Sequence, residues 1–130
     1  MRNFQDIGIP TDLTDVLARQ NIVNPTEIQE LSIPFVLRGD DILASAQTGT
    51  GKTAAFALPI IQSLYQCKKD TRLKALIIVP TRELAQQVFE SFNELTKDTN
   101  LETVAAYGGT SIRVQTNRLA KGCDILVATP

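Results

Sequence analysis

The 130 residues contain neither histidine nor tryptophan. The lack of histidine removes the Ser-His-Asp and Cys-His nucleophile arrangements and every histidine-containing zinc site. Cysteine is scarce: Cys67 and Cys123 are far apart and form no CxxC pair, so two reduced thiols are expected rather than a metal or redox site. Neither sign of charge dominates. Thirteen Lys and Arg stand against fourteen Asp and Glu, a net charge of −1, so the chain has no global attraction for nucleic acid and any such contact must be local. No apolar run has the length of a membrane span, and the opening "MRNFQDIG" has no basic flank followed by an apolar core. No membrane partner and no signal peptide are therefore expected, with a cytoplasmic location as the default.

The residues present are those of a globular protein, 43% hydrophobic and 21% charged. After Gly39 the pattern alternates strand-like runs at 41–46, 74–79, 103–107 and 124–128 with helix-like runs at 51–65, 82–97 and 111–121. Short joints and apolar strands without alternation ("ALIIV", "DILVA") predict a parallel α/β sheet covered by helices. In the middle helix, Leu84, Val88, Phe92 and Leu95 form the stripe expected to face the core. Ahead of the sheet, Thr11 is placed to cap one helix that closes at Asn21. Asn24-Pro25 is placed to start another, which Pro34 should divide in two. Because the chain ends at Thr129-Pro130 directly after the fourth strand-like run, the sheet reads as truncated there.

The stretch "ASAQTGTGKT" carries the first chemical signal. From Ala46 through Gln47, Thr48, Gly49, Thr50 and Gly51 to Lys52-Thr53 it fits the phosphate-loop pattern [AG]xxxxGK[ST], between a predicted strand and a predicted helix. Gly49 and Gly51 permit the positive φ that turns backbone N–H groups inward. Lys52 supplies charge to the outer phosphates, Thr53 a hydroxyl for Mg²⁺, and the helix N-terminus its dipole. The loop calls for a nucleoside di- or triphosphate without naming the base.

Further motifs follow in order. "NPTEIQ" ends on Gln29, "PTRELA" runs through Pro80, Thr81, Arg82 and Glu83, "GG" is Gly108-Gly109, and "TP" is Thr129-Pro130. With the loop, they make the chain resemble the N-terminal part of a DEAD-box ATP-dependent RNA helicase, with loop wording nearest the bacterial members. The resemblance implies an α/β P-loop NTPase fold of RecA-like type, as one partial ATP-binding domain with a helical Q-motif region over 1–38 and the α/β core over 39–130. It also implies adenine recognition by Gln29, stacking by Phe4, and contacts to the RNA sugar-phosphate backbone from Pro80 to Glu83, Gly108-Gly109 and Thr129-Pro130. A glutamine amide, donor and acceptor together, suits adenine's edge. Asn21 and Ile22 stand where the family has a glycine and an aromatic, which implies looser packing around the base.

The residues themselves also allow plainer roles. Thr81 and Glu83 suit a helix start, Phe4 a core anchor, and Gly108-Gly109 a turn into a helix capped by Thr110 or Ser111. ATP hydrolysis needs a second acidic Mg²⁺ ligand, a water-positioning group and an arginine. The family's Asp-Glu-Ala-Asp box does not occur in these residues. Asp124 opens the last strand, at the wrong edge of the sheet for the metal. The expectation is therefore a chain that binds ATP or ADP but does not hydrolyse by itself, meets RNA weakly, and self-associates through an uncovered sheet edge, while its parent is an ATP-dependent helicase. A small P-loop kinase or ATPase, or a non-enzymatic interaction domain, are the alternatives.

Overall fold

The computed structural model describes residues 2–65, 67, 70, 72–109 and 111–130. The chain divides into two compact units, Met1–Gln66 and Cys67–Pro130.

The N-terminal unit is helical: α1 (Thr11–Arg19), α2 (Glu27–Leu37) and α3 (Lys52–Tyr65), with α2 packed on α3. Its buried apolar residues include Phe4, Ile9, Leu13, Leu17, Ile33, Leu58 and Ile61. Helix α1 starts one position earlier in role than the sequence suggests. Pro10 is its N-cap, and Thr11 is the first helical residue, its hydroxyl accepting from Gln5 Nε2 at 3.2 Å. The chain leaves α1 through Asn21 at φ 62°, the left-handed conformation that glycine and asparagine adopt most readily.

Helix α2 does not begin at Asn24-Pro25. Thr26 is its N-cap, and the Thr-x-x-Gln spacing closes a capping box in which Gln29 Oε1 accepts from the Thr26 N–H at 3.0 Å. Nor does Pro34 divide it; α2 runs through to Leu37 as one helix. Proline removes a single N–H bond, while the packing of α2 on α3 is kept. Helix α3 likewise contains Pro59, which is fully buried.

Residues 41–46 are not a strand. A strand exists only through its ladder, and among the described residues none pairs with this segment; Leu43 is fully exposed. It borders an open groove of about 580 Å³ whose other wall is the Ile28, Leu31 and Phe35 face of α2. Among the described residues the sheet therefore has three strands rather than four.

Those strands form the C-terminal unit: β1 (Ala75–Ile78), α4 (Arg82–Thr96), β2 (Thr103–Ala106), α5 (Ile112–Ala120) and β3 (Ile125–Ala128). The sheet is parallel in the order β1-β3-β2, and Ile78, Ala128 and Ala106 lie side by side in register. Helix α4 packs on β2 and β3, and α5 on β2. The buried stripe of α4 is Ala85, Val88, Phe92 and Leu95. Leu84, expected in that stripe, sits about 100° round the helix from Ala85 and is 38% exposed. Among the described residues no helix is long and apolar enough to cross a membrane.

Candidate functional site: a phosphate loop and a strand-end face

The loop after the unpaired segment has the backbone its glycines were expected to give. Gly49 has φ 83° and Gly51 φ 84°, and α3 begins at Lys52 immediately afterwards. The Thr50 hydroxyl donates to the Gln47 carbonyl, closing the loop on itself. Lys52 is exposed, Thr53 is half-buried, and among the described residues no carboxylate is ion-paired with Lys52. A cation without a counter-charge at a helix N-terminus is matched to an anion.

Gln29 reaches this loop. Its Nε2 donates to the Gly51 carbonyl at 3.0 Å, the same oxygen that accepts the Ala55 N–H at 3.1 Å. A Cβ on Gly51 would overlap Gln29 Nε2, so both the positive φ and the close approach require glycine there. Gln29 is 3% exposed. The amide carries two donor hydrogens and two acceptor lone pairs, and the bonds to Gly51 and Thr26 use one of each. One donor and one acceptor remain, which is the complement an adenine edge presents. Phe4 is 2% exposed, and its carbonyl accepts from the Ile7 and Ile9 N–H groups at 3.3 and 3.0 Å.

In the C-terminal unit the sheet register brings the other motifs to one edge. Val79 N–H donates to the Ala128 carbonyl at 2.9 Å and Thr129 N–H to the Ala106 carbonyl at 3.1 Å. Pro80 and Thr81, Gly108-Gly109 and Thr129-Pro130 therefore follow the carboxyl ends of three adjacent strands, where open α/β sheets bind ligands. Thr81 caps α4, its hydroxyl accepting from Leu84 N–H at 3.1 Å, and Glu83 lies in the first turn. Arg82 is exposed, and its Nη1 occupies the place a Cβ on Gly109 would take; Gly109 has φ 85°. Gly108-Gly109 is a turn, and Ser111 caps α5, its hydroxyl accepting from Val114 N–H at 3.3 Å. The other candidate cap, Thr110, lies outside the described residues.

At the opposite edge, Asp124 precedes β3 and is 2% exposed. Its carboxylate accepts from Lys74 Nζ at 3.3 Å and from Glu102 N–H at 2.9 Å. Lys74 Nζ also donates to Asp70 at 3.0 Å. Donation from the Arg72 N–H, then from Lys74 and Arg72 side chains, holds the Asp70 carboxyl well below the usual carboxylate range, and the Asp70 bond raises Lys74. Burial, then the charges of Asp124 and Glu102, push the Cys123 thiol up. This lock pins the N-terminal ends of the three strands, at the opposite end of the sheet from the strand-end face. Among the described residues no group of three His, Cys, Asp or Glu could hold a metal ion. Reasoning from the sequence did not single out Lys74, because it acquires its role from carboxylate partners, Asp124 among them, brought near only by the fold.

Residues 26–130 match the family model described as DEAD/DEAH box helicase. The chain is 44% identical over 128 residues to the DEAD-box ATP-dependent RNA helicase RhpA of Helicobacter pylori (strain B128), covering 98% of this chain and 25% of that protein. It is 40% identical over 129 residues to the ATP-dependent rRNA helicase RRP3 of Yarrowia lipolytica, covering 99% and 26%. The chain thus spans about a quarter of the length of these curated relatives. Relatives from Helicobacter and Yarrowia match to a similar degree, so the bacterial leaning of the loop wording gains nothing from them. Among solved structures, the RNA-helicase Prp28 from Chaetomium thermophilum bound to ADP superposes with TM-score 0.89 at 37% identity, covering 100% of this chain and 32% of that one. The yeast DEAD-box splicing factor Prp28 superposes with TM-score 0.90 at 34% identity, with the same coverage.

Proposed function

The chain belongs to the DEAD/DEAH box helicase family, and from that premise we propose that it carries the adenine-nucleotide site and part of the RNA track of a cytoplasmic ATP-dependent RNA helicase. In this reading residues 1–130 are part of one RecA-like domain. Ala46 to Thr53 wrap the phosphates, Lys52 offsets their charge, and Gln29, whose amide is buried and would have to be uncovered first, reads adenine with its remaining donor and acceptor. Phe4 is the stacking residue, and because it is buried it would have to turn outward to meet the ring. Thr53 would hold Mg²⁺ through its hydroxyl, and the ion would supply charge neutralisation to the nucleotide.

The observation that supports this reading best is the Gln29 bond to the Gly51 carbonyl, which couples the base-reading residue to the loop. Calorimetric titration with ADP and GDP in magnesium tests it. ADP should bind, GDP should not, and Gln29→Ala should erase the difference. Equal binding of both nucleotides by the unaltered chain would overturn the adenine assignment.

Pro80 to Glu83, Gly108-Gly109 and Thr129-Pro130 are proposed to meet the RNA sugar-phosphate backbone, led by Arg82. With two or three phosphates engaged, binding would be weak, with a single-strand salt slope of about −0.7 per contact. Since no Asp-Glu-Ala-Asp occurs in these residues, the chain alone is proposed to bind nucleotide without hydrolysing it. Phosphate release that is lost in Lys52→Ala would refute that. The exposed Leu76 and Ile78 of β1, at 56% and 58%, favour self-association at high concentration. A clean monomer by light scattering would count against it.

A further inference from the structure

Helix α5 buries none of its residues. From Ser111 to Ala120 every residue is exposed except Gln115, with Ile112 at 80% and Val114 at 54%. Apolar packing therefore does little to fix this helix or the glycine turn that precedes it. Polar bonds converge there instead. Gln115 Nε2 donates to the Tyr107 carbonyl at 2.8 Å, and the Tyr107 hydroxyl donates to Gln86 Oε1 at 2.9 Å.

Each bond acts on the turn. The Tyr107 carbonyl belongs to the planar peptide that joins Tyr107 to Gly108, so fixing its direction fixes the first plane of the turn. Gln86 lies four residues after Arg82 on α4, and side chains at that spacing share a face one turn apart. One face of α4 thus grips Tyr107 through Gln86 and overlies Gly109 with Arg82, and from α5 Gln115 holds the carbonyl between them.

We propose that Gln86, Tyr107 and Gln115 are positioning residues for the RNA contact. They hold the Gly108-Gly109 turn against the Arg82 guanidinium, so that turn and arginine present one donor surface to a phosphate backbone. The inference rests on the proposed reading of this edge as an RNA face and adds to it the residues that set its geometry.

The test uses the full-length protein and a fluorescently labelled single-stranded oligouridylate, titrated by anisotropy at fixed low salt. Calorimetry with ADP and a thermal melt run on each variant. Gln115→Met removes the donor at similar size, and Tyr107→Phe removes one oxygen. Each should weaken RNA binding about three- to tenfold, the scale of one ordinary hydrogen bond, with ADP affinity unchanged. Combined with Arg82→Ala, either change should add less than twofold, because the surface it shapes has already lost its charge. If Arg82→Ala weakens RNA binding while Gln115→Met and Tyr107→Phe do not, or if the losses simply add, the positioning role is wrong and the RNA face stands. If Arg82→Ala changes neither affinity nor salt slope, the RNA face itself fails and the inference falls with it. Where Gln115→Met lowers the melting temperature, the single-atom change Tyr107→Phe carries the decision.

Discussion

Gln29 Nε2 meets the Gly51 carbonyl at 3.0 Å although 22 positions separate the two residues in sequence. The contact ties the first turn of α2 to the last peptide before α3, and it leaves no room for a side chain at Gly51. Base reading and phosphate binding in the proposed site are therefore mechanically linked.

Alanine substitution separates backbone cost from this close approach. Gly51→Ala meets both a φ of 84° and the Gln29 amide, whereas Gly39→Ala meets a φ of 88° with open space around it. Each pays about 1 kcal/mol for the left-handed backbone. Only Gly51→Ala should also displace Gln29, lowering ADP affinity at least tenfold by calorimetry while Gly39→Ala leaves it unchanged.

Asp124→Ala should be among the most damaging single changes in the C-terminal unit, costing about 3 kcal/mol in urea unfolding. It strands the Glu102 N–H and removes a partner of Lys74 at a buried position. Asp70→Ala, at the half-buried outer end of the same network, should cost less.

The pH dependence of that network follows from its two shifts. Asp70 lies below its usual 3.8, so its contribution is present above that value and is lost as pH falls through the lower folded value. Lys74 lies above its usual 10.5, so its contribution is full below 10.5 and is lost as pH rises beyond. Between about pH 5 and pH 10 the pair should leave the melting temperature flat. A slope near neutrality that Asp70→Asn abolishes would contradict the assignment.

The two thiols should differ sharply. Cys67 is exposed and Cys123 is buried with its pKa raised. In native protein at pH 8, one equivalent of a thiol reagent should react quickly, at Cys67, and the second only after denaturant is added. Mass spectrometry of the labelled peptides would show it.

Much of the local architecture was legible in the sequence. The 3.6-residue period located the helices, the Gly49 and Gly51 spacing foretold two left-handed residues, and Thr81 announced its cap. Where reading failed, a partner was missing from the local window. Residues 41–46 have strand composition, but composition does not provide a ladder. Asn24-Pro25 is a plausible helix start until Thr26 and Gln29 close a better one. Leu84 and Ala85 differ by one position, and apolarity alone favours the wrong one for the core. Lys74 and Asp124 are ordinary charges until the sheet puts their chain positions, 50 residues apart, at the same strand edge.

The unpaired segment that leads into the phosphate loop also sets a clock. None of the amides from Asp41 to Ala46 has an acceptor among the described residues, so nothing slows their trade of hydrogen for deuterium except the solvent itself. In heavy water this stretch should be labelled within the first seconds, well before the amides of α3 that follow it. The doorway to the loop is therefore kept in shape by its neighbours at either end, and a bound nucleotide would be read most sensitively as a delay in its exchange.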